Sequence, residues 1–259
     1  MLTLNEIEKQ YTDNLKPFKR NILREYLQYK ILEAVFTSEF AGKLSFLGGT
    51  SLRIIFNNTR FSEDLDFDNF GLTDKEFVIL ADKIKNWLEK DGFEVEIRNV
   101  LKGAFRSYIK IPKLLADNNL AVMPNEKIMI QVDTASHNFS YIPDKKILNK
   151  FDVFTQISVT PADILLSQKI YAILNRNRAK GRDFFDVIFL LGFCKPNFEY
   201  LKMKIGVDNG QDLKKKLLKE LAATDLESLA KDVEPFLFNP SDSKKVILFR
   251  DYLQQQSFV

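Results

Sequence analysis

The amino-acid sequence predicts an α/β (α+β) protein in which a mixed sheet with helices is followed by a purely helical part. Two observations carry that reading. Up to about residue 158, short segments with the two-residue alternation of strands interleave with segments of helical period. From Thr160 onward every patterned segment has the helical period. The predicted domains are therefore residues 1–158 and 159–259, separated by a change of secondary-structure type rather than by a low-complexity linker. With 259 residues in all, there is ample chain to bury one large core or two modest ones.

The elements follow in order. Residues 17–40 repeat apolar side chains (Ile22, Leu23, Tyr26, Leu27, Leu32, Val35, Phe36) at helical intervals and predict the first long helix. "KLSFL" reads as a short strand running into Gly48-Gly49, and "TSLRIIFNN" as a short helix behind that turn. "DLDFDNF" reads as a strand with acids on one face and Leu65, Phe67 and Asn69 on the other. Thr73 as N-cap, Glu76 as its capping-box partner and Gly92 as the stop bracket an amphipathic helix. "FEVEIRNV", "RSYIKIPKLL" and "KIMIQVDTA" predict three more strands, and "FDVFTQISV" one at a sheet edge. In the second part Thr160 is expected to cap a helix whose first position is Pro161 and which runs through "ADILLSQKIYAILNR". Further helices are expected at 182–192, 197–205, 210–222 and 243–255.

Composition narrows the chemistry. A hydrophobic share of 45% with 28% charged residues is that of an ordinary globular protein. No apolar run approaches the roughly 20 residues of a membrane span, and "MLTLNEIEKQ" lacks a signal-peptide pattern, so a cytoplasmic protein without membrane contact is expected. Cys194, the single cysteine, rules out an internal disulfide and suits a reducing compartment. With His137 the single histidine, the composition also argues against a thiolate–imidazole zinc site or a Cys–His hydrolase. Catalysis must then run on carboxylates, lysines, arginines and hydroxyls. The net charge of +3 permits a nucleic-acid partner without arguing for one, but the basic residues cluster, at 175–182 and again at 97–113.

The stretch "FLGGTSLRIIFNNTRFSEDLDFDNFGL" concentrates the candidates. Gly48, Gly49, Thr50 and Ser51 join a strand to a helix, where glycine lets the backbone approach a ligand and a helix N-terminus offers free N–H groups to phosphate. Arg53 and Arg60 are available to neutralise triphosphate oxygens with a forked contact. Asp64 and Asp66 lie two residues apart on one strand face, about 6.6 Å along the chain, which suits a pair of Mg²⁺ ions roughly 3.5–4 Å apart. A structural turn beside a solvated acidic strand would produce either motif alone; the two in order, with a helix between, favour a phosphate-and-metal site.

That ordered pair resembles the AbiEii-type (MenT-like) nucleotidyltransferase toxins of type IV toxin–antitoxin systems, in the DNA polymerase β-like nucleotidyltransferase superfamily. The resemblance covers roughly residues 42–190; the last seventy residues carry none of it. It implies a polymerase β-like core with a mixed sheet, completed by a helical C-terminal domain. It implies that Gly49, Thr50 and Arg53 hold phosphate and that Asp64 and Asp66 hold Mg²⁺, with Asp68 left as a solvated or supporting acid. In "SQKIYAILNRNRAKGRDFFDVIFLL" the family's helical lysine falls on Lys169, and its Arg-Asp-x-x-Asp segment on Arg182, Asp183 and Asp186. Arg182 and Asp186 are spaced to pair along a helix. Asp133 and Asp183 compete for the role of a third carboxylate, as base or metal ligand. The implied activity is NMP transfer from an NTP to RNA, the tRNA 3′ end above all, by a monomer held in check by a cognate antitoxin encoded nearby. The motifs would equally serve a small-molecule or protein hydroxyl as acceptor, and a non-catalytic RNA- or protein-binding module is the third reading. The basic cluster at 176–182 is the charge group expected to face RNA.

Overall fold

The structure, a computed structural model, describes residues 1–258, and the chain divides into two units: Met1–Ile55 with Ser62–Thr160, and Phe56–Phe61 with Pro161–Val259. The first unit is α/β. In chain order it runs α1 (Leu4–Glu8), α2 (Lys19–Phe36), β1 (Leu44–Leu47), α3 (Gly48–Phe56), β2 (Leu65–Asn69), α4 (Asp74–Lys90) and β3 (Glu96–Val100). It continues with β4 (Phe105–Ile111), α5 (Leu114–Asp117), β5 (Ile128–Ala135), β6 (Asp144–Lys150) and β7 (Val153–Val159). The seven strands form one sheet in the order β3-β4-β5-β2-β1-β7-β6. The pairs β1–β7 and β2–β5 are parallel and the other four antiparallel, so the sheet is mixed.

Alternation along the strands separates two faces. Ser107, Ile109 and Ile111 of β4 and Ile128, Ile130 and Val132 of β5 are buried, on the face against which α2 and α4 pack. On β2 the inward residues are Leu65 and Phe67, and the Phe67 ring lies 5.7 Å from that of Phe46 and 6.1 Å from that of Phe36. The Thr73–Glu76 capping box forms as expected, and Gly92 follows α4 in the left-handed region at φ +92°.

Several expectations are corrected. "FDVFTQISV" is not an edge: β7 lies between β1 and β6, and β6 is the edge strand. Four consecutive exposed residues at the start of β6, two of them lysines, hide its strand character. Helix α1, with its own Thr3–Glu6 capping box, is only five residues long and shows no periodicity to read. Thr160 does not cap the next helix. Its hydroxyl instead bonds Ser45 at 3.1 Å and Tyr141 at 2.8 Å, its N–H bonds the Phe46 carbonyl at 2.9 Å, and Pro161 takes the N-cap position.

The second unit is helical: α6 (Ala162–Asn175), α7 (Gly181–Leu191), α8 (Phe198–Ile205), α9 (Gly210–Leu221), α10 (Leu226–Val233), α11 (Lys244–Ile247) and α12 (Phe249–Gln255). The helix expected at 243–255 is thus broken at Leu248, and α10 lies in a stretch for which none was expected. The core is apolar, with Leu165, Ile170, Phe184, Phe185, Leu201, Leu213, Leu217 and Phe249 buried. Residues 56–61 join this unit by pairing with residues 236–238: the Phe61 N–H bonds the Phe236 carbonyl at 2.8 Å and the Phe238 N–H the Thr59 carbonyl at 3.1 Å. Among the described residues no helix is long and apolar enough to cross a membrane.

Gly181, the first residue of α7, packs against α10. A Cβ there would lie 1.8 Å from the Leu229 carbonyl oxygen, a backbone atom that cannot rotate aside. Gly181→Ala is expected to part the two helices at a cost of about 1–3 kcal/mol. Urea denaturation should show a lowered midpoint at unchanged slope.

Candidate active site

The glycine turn and the acidic strand are neighbours in the sheet. Leu47, the last residue of β1, pairs with Asp66 of β2. The chain then turns at Gly48, whose φ of +79° only glycine adopts without cost. A Cβ on Gly48 would sit 2.2 Å from Oδ2 of Asp66, so the missing side chain also makes the room in which that carboxylate lies. Two residues on, the buried Thr50 donates its hydroxyl to the backbone carbonyl of Asp64. The first turn of α3 therefore sets both members of the acidic pair, Asp66 by shape and Asp64 by a hydrogen bond. Both acids are half-buried. Thr50 acts here through Asp64 rather than through an open hydroxyl, and Ser51 is buried beside it.

Asp133 stands on β5 in register with Asp66. Its carboxylate accepts a fork from Arg106, at 2.8 and 3.3 Å, and a bond from the Gln131 side chain at 2.7 Å. Arg106 is the residue opposite Asp133 on β4, and this hydrogen-bonded pairing raises the guanidinium above its ordinary pKa. One cross-strand row thus reads Arg106, Asp133, Asp66, Leu47. Asp68 is not solvated. It is buried, accepting from the His137 N–H at 2.9 Å and the Tyr141 hydroxyl at 3.0 Å, and so ties down the loop after β5.

The two arginines expected at phosphate are both engaged in ion pairs. Arg53 forks onto Glu25 of α2 at 2.8 and 3.2 Å. Glu25 is buried and also accepts from Lys150 at 2.9 Å and the Tyr11 hydroxyl at 2.8 Å. Burial pushes its pKa up, but Arg53 and Lys150 overcome that and hold it below the usual carboxylate value. Arg60 belongs to the helical unit. It is 1% exposed and grips both oxygens of Asp186 at 2.7 Å each, with Asn58 adding a bond at 2.9 Å.

Lys169 of α6 completes that cluster, 2.9 Å from Asp186 and 3.1 Å from Asp183. It is mostly buried rather than exposed. Burial lowers the lysine's pKa, but the two carboxylates raise it further, to a net position above normal. Burial likewise raises the pKa of Asp186, and Arg60 and Lys169 bring it below normal. Asp186 therefore pairs with Arg60 and Lys169 instead of with Arg182, whose guanidinium lies 4.5 Å over the Phe236 ring. Asp183 is buried near the start of α7, held by Lys169 and approached by Arg176 at 3.5 Å. Arg176, Arg178 and Lys180 are exposed around the loop between α6 and α7. Cys194 is a partly buried thiol, pushed up to about 11 by burial.

The donor set suits magnesium. No group of three or more acidic, histidine or cysteine side chains converges on one ion among the described residues. Magnesium commonly takes one or two carboxylates and completes its shell with substrate phosphates and water, and Asp64 and Asp66 offer hard oxygens of that kind. The residues sequence reasoning missed here are Arg106, Gln131, Glu25 and Tyr141. Arg106, Glu25 and Tyr141 act across elements, while Gln131 bonds Asp133 along its own strand. Of the long-range partners, only the basic character of the segment around Arg106 is visible in the sequence.

Two outcomes follow. Gly48→Ala should displace the Asp66 carboxylate and strain the turn by about 1–2 kcal/mol. Calorimetry should show loss of metal-dependent NTP binding in a protein that still melts cooperatively. Asp186→Asn should destabilise the helical unit by about 3–5 kcal/mol, because Arg60 and Lys169 lose their shared counter-charge. Since the pKa of Asp186 is depressed, its contribution is present above the ordinary carboxylate value and lost as pH falls through the depressed one. The wild type should therefore lose stability on acidification, and the variant should lose less, as measured by thermal melts at a series of acidic pH values.

Residues 30–245 match the family model described as nucleotidyl transferase AbiEii toxin, type IV TA system. Among solved structures the chain is similar to JHP933 from Helicobacter pylori, with 18% identity, a TM-score of 0.51, and coverage of 92% of this chain and 94% of that one. It is also similar to a candidate nucleotidyltransferase from H. pylori, with 17% identity, a TM-score of 0.52, and coverage of 91% and 97%. At those identities the likeness is one of fold. No curated protein matches the chain. The family match takes in the glycine turn, the acidic strand and the segment from Lys169 to Asp186, and the chain belongs to the AbiEii nucleotidyl transferase toxin family of type IV toxin–antitoxin systems.

Proposed function

We propose that this nucleotidyltransferase moves an NMP group from an NTP to an RNA acceptor, the 3′ end of tRNA, with Mg²⁺ as its metal, and thereby blocks translation. The observation that carries the reading is the placement of Asp66 in the space left by Gly48, with Asp64 fixed by Thr50. Backbone N–H groups of the turn at Gly48 and Gly49 would receive the triphosphate at the start of α3. Asp64 and Asp66 would hold magnesium, with Asp133 beside them as the third acid. Bound there, the metal would screen the triphosphate charge and polarise the reacting phosphoryl group. The acceptor hydroxyl oxygen attacks the α-phosphorus as its proton passes to the carboxylate that serves as base, the bond to the bridging oxygen breaks, and pyrophosphate leaves.

Lys169, Asp183 and Arg182 are the residues of the helical unit to which the same reading gives catalytic and phosphate-binding roles. Because Lys169 carries two ion pairs, the activity of a Lys169→Ala variant has to be read against its stability. The exposed cations at 176–180 suit an RNA backbone. A type IV system implies a cognate antitoxin, and the protein is proposed to act as a cytoplasmic monomer.

Asp66→Asn removes one charge at nearly constant volume. It should abolish transfer of label from α-labelled NTPs to total RNA, a loss of at least about a hundredfold, while the melting temperature changes by only a few degrees. Label appearing in protein or in a small molecule in place of RNA would reject the proposed acceptor and keep the transfer chemistry.

A further inference from the structure

Apart from Arg106, the basic segment at 97–113 has no part in the phosphate and metal site just described, yet the register carries it there. On the face of β3, β4 and β5 turned away from α2 and α4, Arg98 and Met129 are exposed, and Arg106, Tyr108, Lys110 and Gln131 are partly so. Cross-strand pairing sets them in rows: Arg98, Tyr108, Gln131 in one, and Val100, Arg106, Asp133, Asp66 in the next. From β2, which bears Asp66, to β3, which bears Arg98, is three strand spacings, about 14 Å. A small acceptor held at Asp66 would not reach that far.

The charges on this face are unbalanced toward cations. Its acids, Glu96 and Asp133, are already paired, Glu96 with Lys127 at 2.6 Å and Asp133 with Arg106 at 2.8 Å. Arg98 and Lys110 make no ion pair among the described residues, although Lys110 stands directly opposite Glu96 and helps to hold that carboxyl below its usual value, behind the hydrogen bond from Lys127. Tyr108 lies on β4 directly opposite Arg98 and two residues before Lys110, and its half-exposed side chain is hydrogen-bonded to Arg106. Half-exposed aromatics flanked by cations on a sheet surface are what single-stranded RNA uses, bases stacking on the rings and phosphates meeting the cations.

We propose that the open face of β3–β5 binds the single-stranded segment that precedes the RNA 3′ end, with Arg98 and Lys110 on its phosphates and a base on Tyr108. This rests on the nucleotidyl-transfer reading for the identity of the reacting end, but the binding itself needs no nucleotide. Single-stranded phosphate is chosen over an acidic peptide because Tyr108 and the cations alternate along the face, as bases and phosphates do along a strand.

The test uses the full chain, a fluorescein-labelled single-stranded oligoribonucleotide with a free 3′ hydroxyl, and anisotropy titrations at several salt concentrations. The wild type should bind with a salt slope that falls by about 1.4 in the Arg98→Ser/Lys110→Ser variant, about 0.7 for each cation lost. Tyr108→Leu should weaken binding at least about fivefold with the slope unchanged. NTP binding by calorimetry should be unaltered in all of them. Lys83→Ser/Lys90→Ser, on α4, should match the wild type in both measurements. Equal affinity and slope in the wild type and the Arg98/Lys110 variant would overturn the proposal, as would a wild type that binds no RNA. Failure of NTP binding in the wild type would instead reject the transfer chemistry, and the RNA titration would still decide the face.

Discussion

The site in the α/β unit depends on the antiparallel register of β1 against β2. Phe46 and Phe67 are paired directly and both are buried, so the register is fixed by apolar burial on the inner face. A slip of one residue would send those rings outward and turn Asp66 toward α2 and α4. With the register fixed, Leu47 falls opposite Asp66 and the residue after it must pass under a carboxylate. Only glycine fits, on grounds of space and of backbone conformation alike. The position of the acidic pair is thus a consequence of core packing on the opposite side of the same two strands.

Electrostatics then fixes what packing leaves loose. A buried arginine or carboxylate is costly unless its partner is close and its remaining hydrogen bonds are met, and a forked guanidinium meets both conditions with one carboxylate. In the α/β unit Glu25 joins α2 to α3 through Arg53 and to β6 through Lys150, whose ammonium also lies 3.8 Å over the Tyr11 ring. In the helical unit Asp186 joins the 58–60 segment to α6 and α7 through Arg60, Asn58 and Lys169. Replacing either cluster with apolar groups would change stability little in principle, whereas removing one member strands the others. Such clusters suit positions where a fixed geometry matters more than added stability.

What the sequence reveals and what it hides divide along the range of the interaction. Gly48 and Gly49, the acids at alternate positions, the Thr73–Glu76 box and the helical periods are local patterns, and the elements they announce are present, save that the helix expected at 243–255 is two short ones. The strands other than β6 were legible for the same reason. The partners of the charges were not. Arg60 and Asp186 are 126 residues apart, Arg53 and Glu25 are 28 apart, and nothing local tells an arginine bound for phosphate from one bound for a buried carboxylate. Helix α1 was missed because five residues are too few to show a period, and β6 because its exposed lysines mask the alternation. Helix α10, by contrast, carries Leu226, Leu229, Ala230 and Val233 at helical intervals behind an Asp225 N-cap and was legible all along. Thr160 shows the opposite error: a good capping residue whose hydroxyl bonds Ser45 and Tyr141 instead.

The row across β4, β5, β2 and β1 joins these two themes. Asp133 beside Asp66 puts like charges on adjacent strands, which is destabilising unless something opposes it. Arg106 opposes it from β4, on the side away from Asp66, and with Gln131 of β5 it occupies both oxygens of Asp133. The acidic character of the site is therefore concentrated at Asp64 and Asp66, next to the glycine turn, while the sheet beyond Asp133 changes sign. A single register thus sets an anionic end and a cationic end on one surface. The proposed transfer, with a metal at one point and a polyanion beyond it, would call for charge graded in that way.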